Sequence, residues 1–250
     1  MRRLAIAFLA MSSLLSHAVE CTARSGARTA ALLELYTSEG CSSCPPADRW
    51  LSQTSADAAL VPIAFHVAYW DYLGWKDVFA DARFTERQRQ FARIAGARSV
   101  YTPQVVLHGR DFPEWRSGGA PRAIEAVNAR PARAQLEITT SHGAKASVRA
   151  MLSPGVRADD LALFMGLTEN GLATQVRAGE NRGETLRHDH VARDLKMARA
   201  WSANGELATV VDFTMQPEWK RSRMRVVAFV QSLKTGEVLQ ALSAPLCPGV

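Results

Sequence analysis

The sequence predicts an α/β layer over residues 19–130 followed by an all-β, sandwich-like C-terminal domain over residues 131–250. Three observations carry this. Apolar runs alternate with helix-forming segments up to residue 130. The texture changes after Pro131. Beyond it, short segments of alternating apolar and polar residues are separated by Gly and Asn-Gly turns. A chain of 250 residues can bury one large core or two modest ones. Its composition, 47% hydrophobic and 22% charged, argues against disorder and against a membrane-spanning protein. The net charge of +6 reads as a soluble basic surface, with no nucleic-acid partner.

The first eighteen residues stand apart. Arg2 and Arg3 precede an apolar run over residues 4–15, and Ser16-His17-Ala18 gives the small-x-small pattern of a cleavage site. The run is too short to span a bilayer. Residues 1–18 are read as a signal peptide. The mature chain is then periplasmic or secreted, with no membrane anchor after cleavage. Glu20 stands before Cys21, where a lipoprotein signal requires a small residue, so Cys21 is not read as lipidated. All four cysteines, Cys21, Cys41, Cys44 and Cys247, remain after cleavage, in a compartment that permits disulfides.

In the α/β region, residues 29–36 read as a short buried strand, mostly apolar at Leu32-Leu33-Glu34-Leu35-Tyr36. The turn Thr37-Ser38-Glu39-Gly40 leads to Cys41-Ser42-Ser43-Cys44-Pro45-Pro46 and a helix over residues 47–53. Residues 61–67 are nearly continuously apolar, as in a parallel strand covered on both faces. An aromatic insertion over residues 69–80 carries Tyr69-Trp70-Asp71-Tyr72-Leu73-Gly74-Trp75, and a helix over residues 84–95 is stopped by Gly96. Pro103-Gln104-Val105-Val106-Leu107 is a strand ended by Gly109, and residues 120–129 form a helix. After Pro131, strands are expected at 136–139, 145–152, 161–168, 207–213 and 223–231, with turns at Asn170-Gly171, Asn204-Gly205 and Thr235-Gly236.

Two cysteines separated by two residues at a helix start are placed for thiol–disulfide exchange. The unpaired N–H groups and partial positive charge of the helix mouth favour a thiolate. Cys41 is the expected nucleophile and Cys44 the resolving thiol. The rival for such a pair is half of a zinc site, and the sequence has no second Cys-x-x-Cys to complete one. Thr102-Pro103, directly before an apolar strand, is where a cis peptide beside the cysteines is expected.

Residues Ile94 through Gly109 resemble the thioredoxin pattern of helix, short link, Thr-cis-Pro, apolar strand and Gly turn. More closely, Glu34-Leu35-Tyr36-Thr37-Ser38-Glu39-Gly40-Cys41-Ser42-Ser43-Cys44-Pro45-Pro46-Ala47-Asp48 is similar to an exported thioredoxin-like family known as domain of unknown function 1223. His66-Val67-Ala68-Tyr69-Trp70-Asp71-Tyr72-Leu73-Gly74-Trp75-Lys76-Asp77, Tyr101-Thr102-Pro103-Gln104-Val105, Glu180-Asn181-Arg182-Gly183 and His188-Asp189-His190 extend the resemblance. It implies a thioredoxin-like fold for the α/β layer and the role of Cys41, Cys44 and Pro103, but supplies no physiological substrate; Thr102 joins them as a catalytic candidate, and protein thiols or disulfides are the expected substrates of such a pair. No cofactor is implied. Ordinary thioredoxins lack the aromatic insertion. They also carry a buried acid on the strand before the cysteines; Glu34 is the candidate for that proton-transfer role, or else a charge at a strand edge.

Loops at the C-terminal ends of parallel strands should flank Cys41, so Trp70, Tyr72 and Trp75 are candidates to line a substrate groove, or else pack the insertion. His66 is a core histidine or a base. His188 and His190, at i and i+2, either share a metal or are exposed strand residues. Lys220, Arg221, Arg223 and Arg225 read as a solvated face. Cys21 and Cys247 are expected to form a structural disulfide between the ends of the mature chain. The leading function is thus an exported thiol–disulfide oxidoreductase. The alternatives are a copper or zinc protein using Cys41, Cys44 and a histidine such as His66, or a non-catalytic scaffold.

Overall fold

The computed structural model describes residues 20–141 and 144–247; the expected signal peptide, residues 1–18, lies outside them. Strand β1 (Cys21–Arg24) is followed by β2 (Ala31–Thr37), all seven of whose residues are buried. Helix α1 (Pro45–Ser52) and strand β3 (Leu60–His66) come next, then a 3₁₀ turn at Ala68–Leu73. Helix α2 (Ala82–Ile94) starts at Asp81, whose carboxylate accepts from the Arg83 amide at 2.7 Å and so satisfies one orphan donor of the first turn. Strands β4 (Gln104–Leu107) and β5 (Arg110–Asp111) and helix α3 (Ala120–Asn128) complete the region before residue 131.

Beyond it lie β6 (Ala134–Thr140), β7 (Lys145–Leu152), β8 (Leu161–Glu169), β9 (Leu172–Gln175) and β10 (Thr185–His188). Strands β11 (Val191–Ala198), β12 (Glu206–Asp212), β13 (Met224–Ser232) and β14 (Val238–Pro245) follow. Among the described residues, no helix is long and apolar enough to cross a membrane.

The expected fold class, an α/β thioredoxin-like domain followed by an all-β sandwich, is corrected: the fold is β-rich and built on large sheets. One eight-stranded sheet, ordered β14-β13-β8-β11-β3-β2-β4-β5, draws strands from both sides of residue 131. It closes across that boundary where Val191 of β11 pairs in parallel with Ala64 of β3. The physical reason is that β8 and β13 are apolar on both faces. Leu161, Leu163, Met165 and Leu167 of β8 pack in one core with Leu136 and Ile138 of β6 and Val148 of β7, while Ala162 and Phe164 pack in another with Phe84 and Phe91 of α2. Strands buried on both faces belong in the middle of a layered structure. The four-stranded sheet β1-β6-β7-β12 stacks on one face of the large sheet, and β6 and β7 alternate buried and exposed residues as a one-sided sheet must. Helices α1 and α3 cover the same side further along, against Leu33, Leu35, Ala64 and Val105.

Cys21, on β1, is bonded to Cys247 with the Cα atoms 5.4 Å apart. This bridge joins the first described strand to the chain just after β14.

Candidate functional site

Strands β2 and β3 run parallel, with Thr37 opposite His66 at their C-terminal ends. Side chains alternate along each strand, so the odd residues of β2 and the even residues of β3 face α1. Thr37 and His66 are therefore neighbours under that helix. The chain then turns through Ser38, Glu39 and Gly40 into the cysteines, with the Cys41 amide donating to the Ser38 carbonyl. Gly40 lets the turn pass close to the aromatic insertion: a Cβ would lie 3.0 Å from Cβ of Trp70 and 3.3 Å from its carbonyl oxygen, so a larger residue needs Trp70 to give by a few tenths of an ångström.

Cys41 and Cys44 form a disulfide, and both are buried, at 1% and 0% exposure. Cys44 is the N-cap of α1, and Pro45 and Pro46 occupy its first two positions. The free N–H groups expected at this helix mouth are thus missing. Proline has none, and the amides of Ala47 and Asp48 are both spent on the Cys44 carbonyl. What remains for sulfur is the helix dipole and a hydroxyl: Ser43 Oγ lies 3.4 Å from Cys41 Sγ and 3.5 Å from the Thr102 carbonyl oxygen. The Thr102–Pro103 peptide is cis.

The aromatic candidates divide by role. Trp70 Nε1 donates to Thr102 Oγ1 at 2.7 Å, bracing the prolyl loop. Trp75 Nε1 donates to Glu39 Oε2 at 2.9 Å, bracing the turn before Cys41. Tyr72 is 79% exposed and takes part in neither. Glu34 is an even residue of β2 and faces away from α1. Arg87 of α2 holds its carboxylate through Nε at 2.8 Å and Nη2 at 2.5 Å, with the guanidinium packed over the rings of Phe65, Phe164 and Phe229. The proton-transfer role assigned to Glu34 is corrected on that ground: its carboxylate is engaged on the face opposite the helix that Cys44 caps.

The buried acid on the α1 side is Asp48, one turn after Cys44, which accepts from Thr37 Oγ1 at 3.1 Å. Around it lie Glu39, His66, Asp77 and His188, all buried. Asp77 Oδ2 is 2.7 Å from His66 Nδ1 and accepts from the Glu39 amide, while its Oδ1 accepts from the Phe79 amide. Burial opposes the Asp77 anion, but the charge and hydrogen bond of His66 and the two amides hold its carboxyl below the ordinary range. His188 reaches in from β10, on which Leu186 and His188 face α1. Burial works against its cationic form, yet Asp48 and Glu39 outweigh it and raise His188 to about 10. Its nitrogens are 3.4 Å from Glu39 Oε1 and 3.9 Å from Asp48 Oδ1, too long for strong hydrogen bonds. His190 diverges from His188: at φ 58° it turns away and its Nε2 meets the Thr54 carbonyl oxygen, so the two histidines share no ligand site.

A loop from beyond residue 131 seals the pair from the other side. Asn181 Nδ2 donates to the carbonyl oxygens of Glu39 and Cys41, and the Ser42 amide donates to Glu180 Oε2 at 3.0 Å; the Ser42 side chain first, and this amide second, lower the Glu180 carboxyl. Sequence reasoning passed over Glu39, Asp48, Asp77, Glu180 and Asn181 as individual site residues. The available signal was the spacing of Asp48, four residues after Cys44 on a short helix. With the pair oxidised, neither sulfur offers a thiolate to a metal. Among the described residues, ligand atoms of Asp48, His66 and His188 lie within 4.8 Å of one another.

A family described as "Protein of unknown function (DUF1223)" matches residues 32–231. A protein of Agrobacterium tumefaciens known from its crystal structure is similar over 88% of this chain and 95% of its own, at 22% identity and a TM-score of 0.67. HBP35 of Porphyromonas gingivalis is similar over 89% of this chain and 76% of its own, at 17% identity and a TM-score of 0.64. At such identities the likeness is one of fold. No curated protein matches the chain.

Proposed function

The chain belongs to the DUF1223 family of proteins of unknown function, and from that premise we propose that it is an exported thiol–disulfide oxidoreductase acting on the cysteines of other proteins. The observation that carries the reading is the Cys41–Cys44 disulfide at the start of α1, linked through Ser43 to the carbonyl of Thr102, the residue before the cis proline.

In the oxidising direction a substrate thiolate attacks Cys41 Sγ. A bond forms between the two sulfurs, the Cys41–Cys44 bond breaks, and Cys44 leaves as a thiolate at the positive end of α1. A second substrate thiolate then displaces Cys41, releasing a substrate disulfide and leaving both cysteines reduced. Two electrons have passed to the pair, and the reverse sequence reduces a substrate disulfide. Thr102 and Pro103 supply the backbone against which the substrate chain lies. Because both sulfurs are buried, the loop that carries Glu180 and Asn181 must release Ser42 and Cys41 before exchange. Export is supported by the charged and apolar character of residues 1–18 and by a second disulfide distant from the site, Cys21–Cys247.

The test is a redox titration of purified protein in glutathione buffers, alongside insulin reduction. Reversible cycling of Cys41 and Cys44, with activity lost in Cys41→Ser, is the expected result. A folded protein whose pair never cycles, or full activity in Cys41→Ser, would refute it.

A further inference from the structure

We propose that Asp48, His66 and His188 form a binding site for a divalent transition-metal ion of the zinc class, one helical turn beneath the disulfide. The inference does not depend on redox activity, because its ligand set contains no sulfur.

The donor chemistry comes first. Two imidazoles and a carboxylate are the ligands that zinc-class ions take in three-residue protein sites. Here they come from three separate elements, α1, β3 and β10, whose ligand atoms converge to within 4.8 Å. Tetrahedral ligand bonds of about 2.0–2.2 Å place ligand atoms roughly 3.4 Å apart, so each atom would move inward by at most about 0.8 Å, within the reach of side-chain rotation.

The unpartnered atoms come second. His66 is fully buried. Its Nδ1 is committed to Asp77 Oδ2 at 2.7 Å, leaving Nε2 with no hydrogen-bond partner. A carboxylate on one imidazole nitrogen fixes the tautomer and presents the other nitrogen's lone pair, the outer-shell arrangement that orients metal-binding histidines. His188 adds two further atoms: both of its ring nitrogens are buried without a hydrogen bond, Nε2 3.4 Å from Glu39 Oε1 and Nδ1 3.9 Å from Asp48 Oδ1, and an ion that binds one of them displaces the proton held there, which leaves to solvent. Imidazole nitrogens left bare in a protein interior are costly, and a cation would satisfy them.

Charge and access complete the case. Three carboxylates, Glu39, Asp48 and Asp77, are buried around these two histidines. Carboxylate oxygens gathered around two imidazoles in a region of low dielectric are a setting that favours a divalent ion. A cavity of about 110 Å³ between α1 and β10, lined by Pro45, Asp48, Arg49, Leu186 and His188, gives the ion a route to two of its ligands.

The experiment uses the full mature protein with both disulfides intact. Zn²⁺ binding is measured by titration calorimetry after chelator treatment, and the cobalt-loaded protein is examined by absorption spectroscopy. The expected result is one Zn²⁺ per chain, retained in a Cys41→Ser/Cys44→Ser variant, with a cobalt spectrum free of thiolate charge-transfer bands. His66→Gln and His188→Gln should abolish stoichiometric binding, and Asp77→Asn, which touches only the outer shell, should weaken it about 10–100-fold. Absence of stoichiometric Zn²⁺ binding by the wild-type protein overturns the proposal whatever the variants do. So does binding that survives in folded His66→Gln and His188→Gln, or binding that disappears with the cysteines.

Discussion

Asn181 Nδ2 donates to the carbonyl oxygen of Cys41 at 3.0 Å, across 140 residues of chain. The same amide holds Glu39, and the neighbouring Glu180 holds the Ser42 amide, so the loop fastens the disulfide turn at three points. Asn181→Ala removes two buried hydrogen bonds of about 1 kcal/mol each. The Cys41–Cys44 bond should then be reduced by dithiothreitol up to roughly thirtyfold faster, measured by alkylation and mass spectrometry. An unchanged rate would mean that the loop does not guard the sulfurs.

Glu34 and Arg87 form an ion pair inside the large core, away from the cysteines. Arg87→Ala strands a buried carboxylate and should cost about 3–5 kcal/mol in urea denaturation. Glu34→Gln separates stability from chemistry: the midpoint should fall while the rate of disulfide exchange stays at the wild-type value. A slowed exchange in folded Glu34→Gln would restore the proton-transfer role.

His108 supplies a pH test. Burial, with Arg130 nearby, lowers it to about 4, against about 6.5 in an unfolded chain. Between these values the unfolded chain holds a proton that the folded chain does not. Stability is therefore present above pH 6.5 and is lost as pH falls towards 4, by at most roughly 3 kcal/mol from this group. His108 has φ 51°, so asparagine, which tolerates that conformation, is the suitable replacement. His108→Asn should flatten the pH dependence of the urea midpoint between pH 7 and 4.5; an unaltered slope would place its origin in other groups.

Cys247→Ser opens a ring whose bonded residues are 226 apart in sequence. In the chain-entropy account this costs about 5 kcal/mol. A urea midpoint within error of the wild type would show that β1 needs no covalent tie.

The apolar runs at 29–36 and 61–67 gave β2 and β3 within two residues, because a strand covered on both faces leaves a continuous hydrophobic trace. The same trace was present at Leu161-Ala162-Leu163-Phe164-Met165 and was read as a sandwich strand. Periodicity records how many faces are covered and says nothing of which strand lies alongside, so the junction of β11 with β3 was invisible. Cys41, Cys44 and Pro103 were legible as a local motif. The cluster around them was not, since Asp48, His66, Asp77 and His188 meet only after four segments fold together. Alternation along β10 puts His188 on the face of Leu186, but only the tertiary structure brings that face onto α1. The double proline was visible from the start and by itself removes two donors from the helix mouth, whereas the closure of the Ala47 and Asp48 amides on the Cys44 carbonyl emerges only in the folded chain.

The bridge from Cys21 to Cys247 bears on how the protein responds to proteases. A single cleavage at any peptide bond between those residues leaves two fragments still covalently attached. Only a second cut, or a reductant able to reach the bridge, can release a piece. One nick therefore leaves the particle's mass unaltered on a non-reducing gel, apart from the added water, and the damage becomes visible only when the sample is reduced.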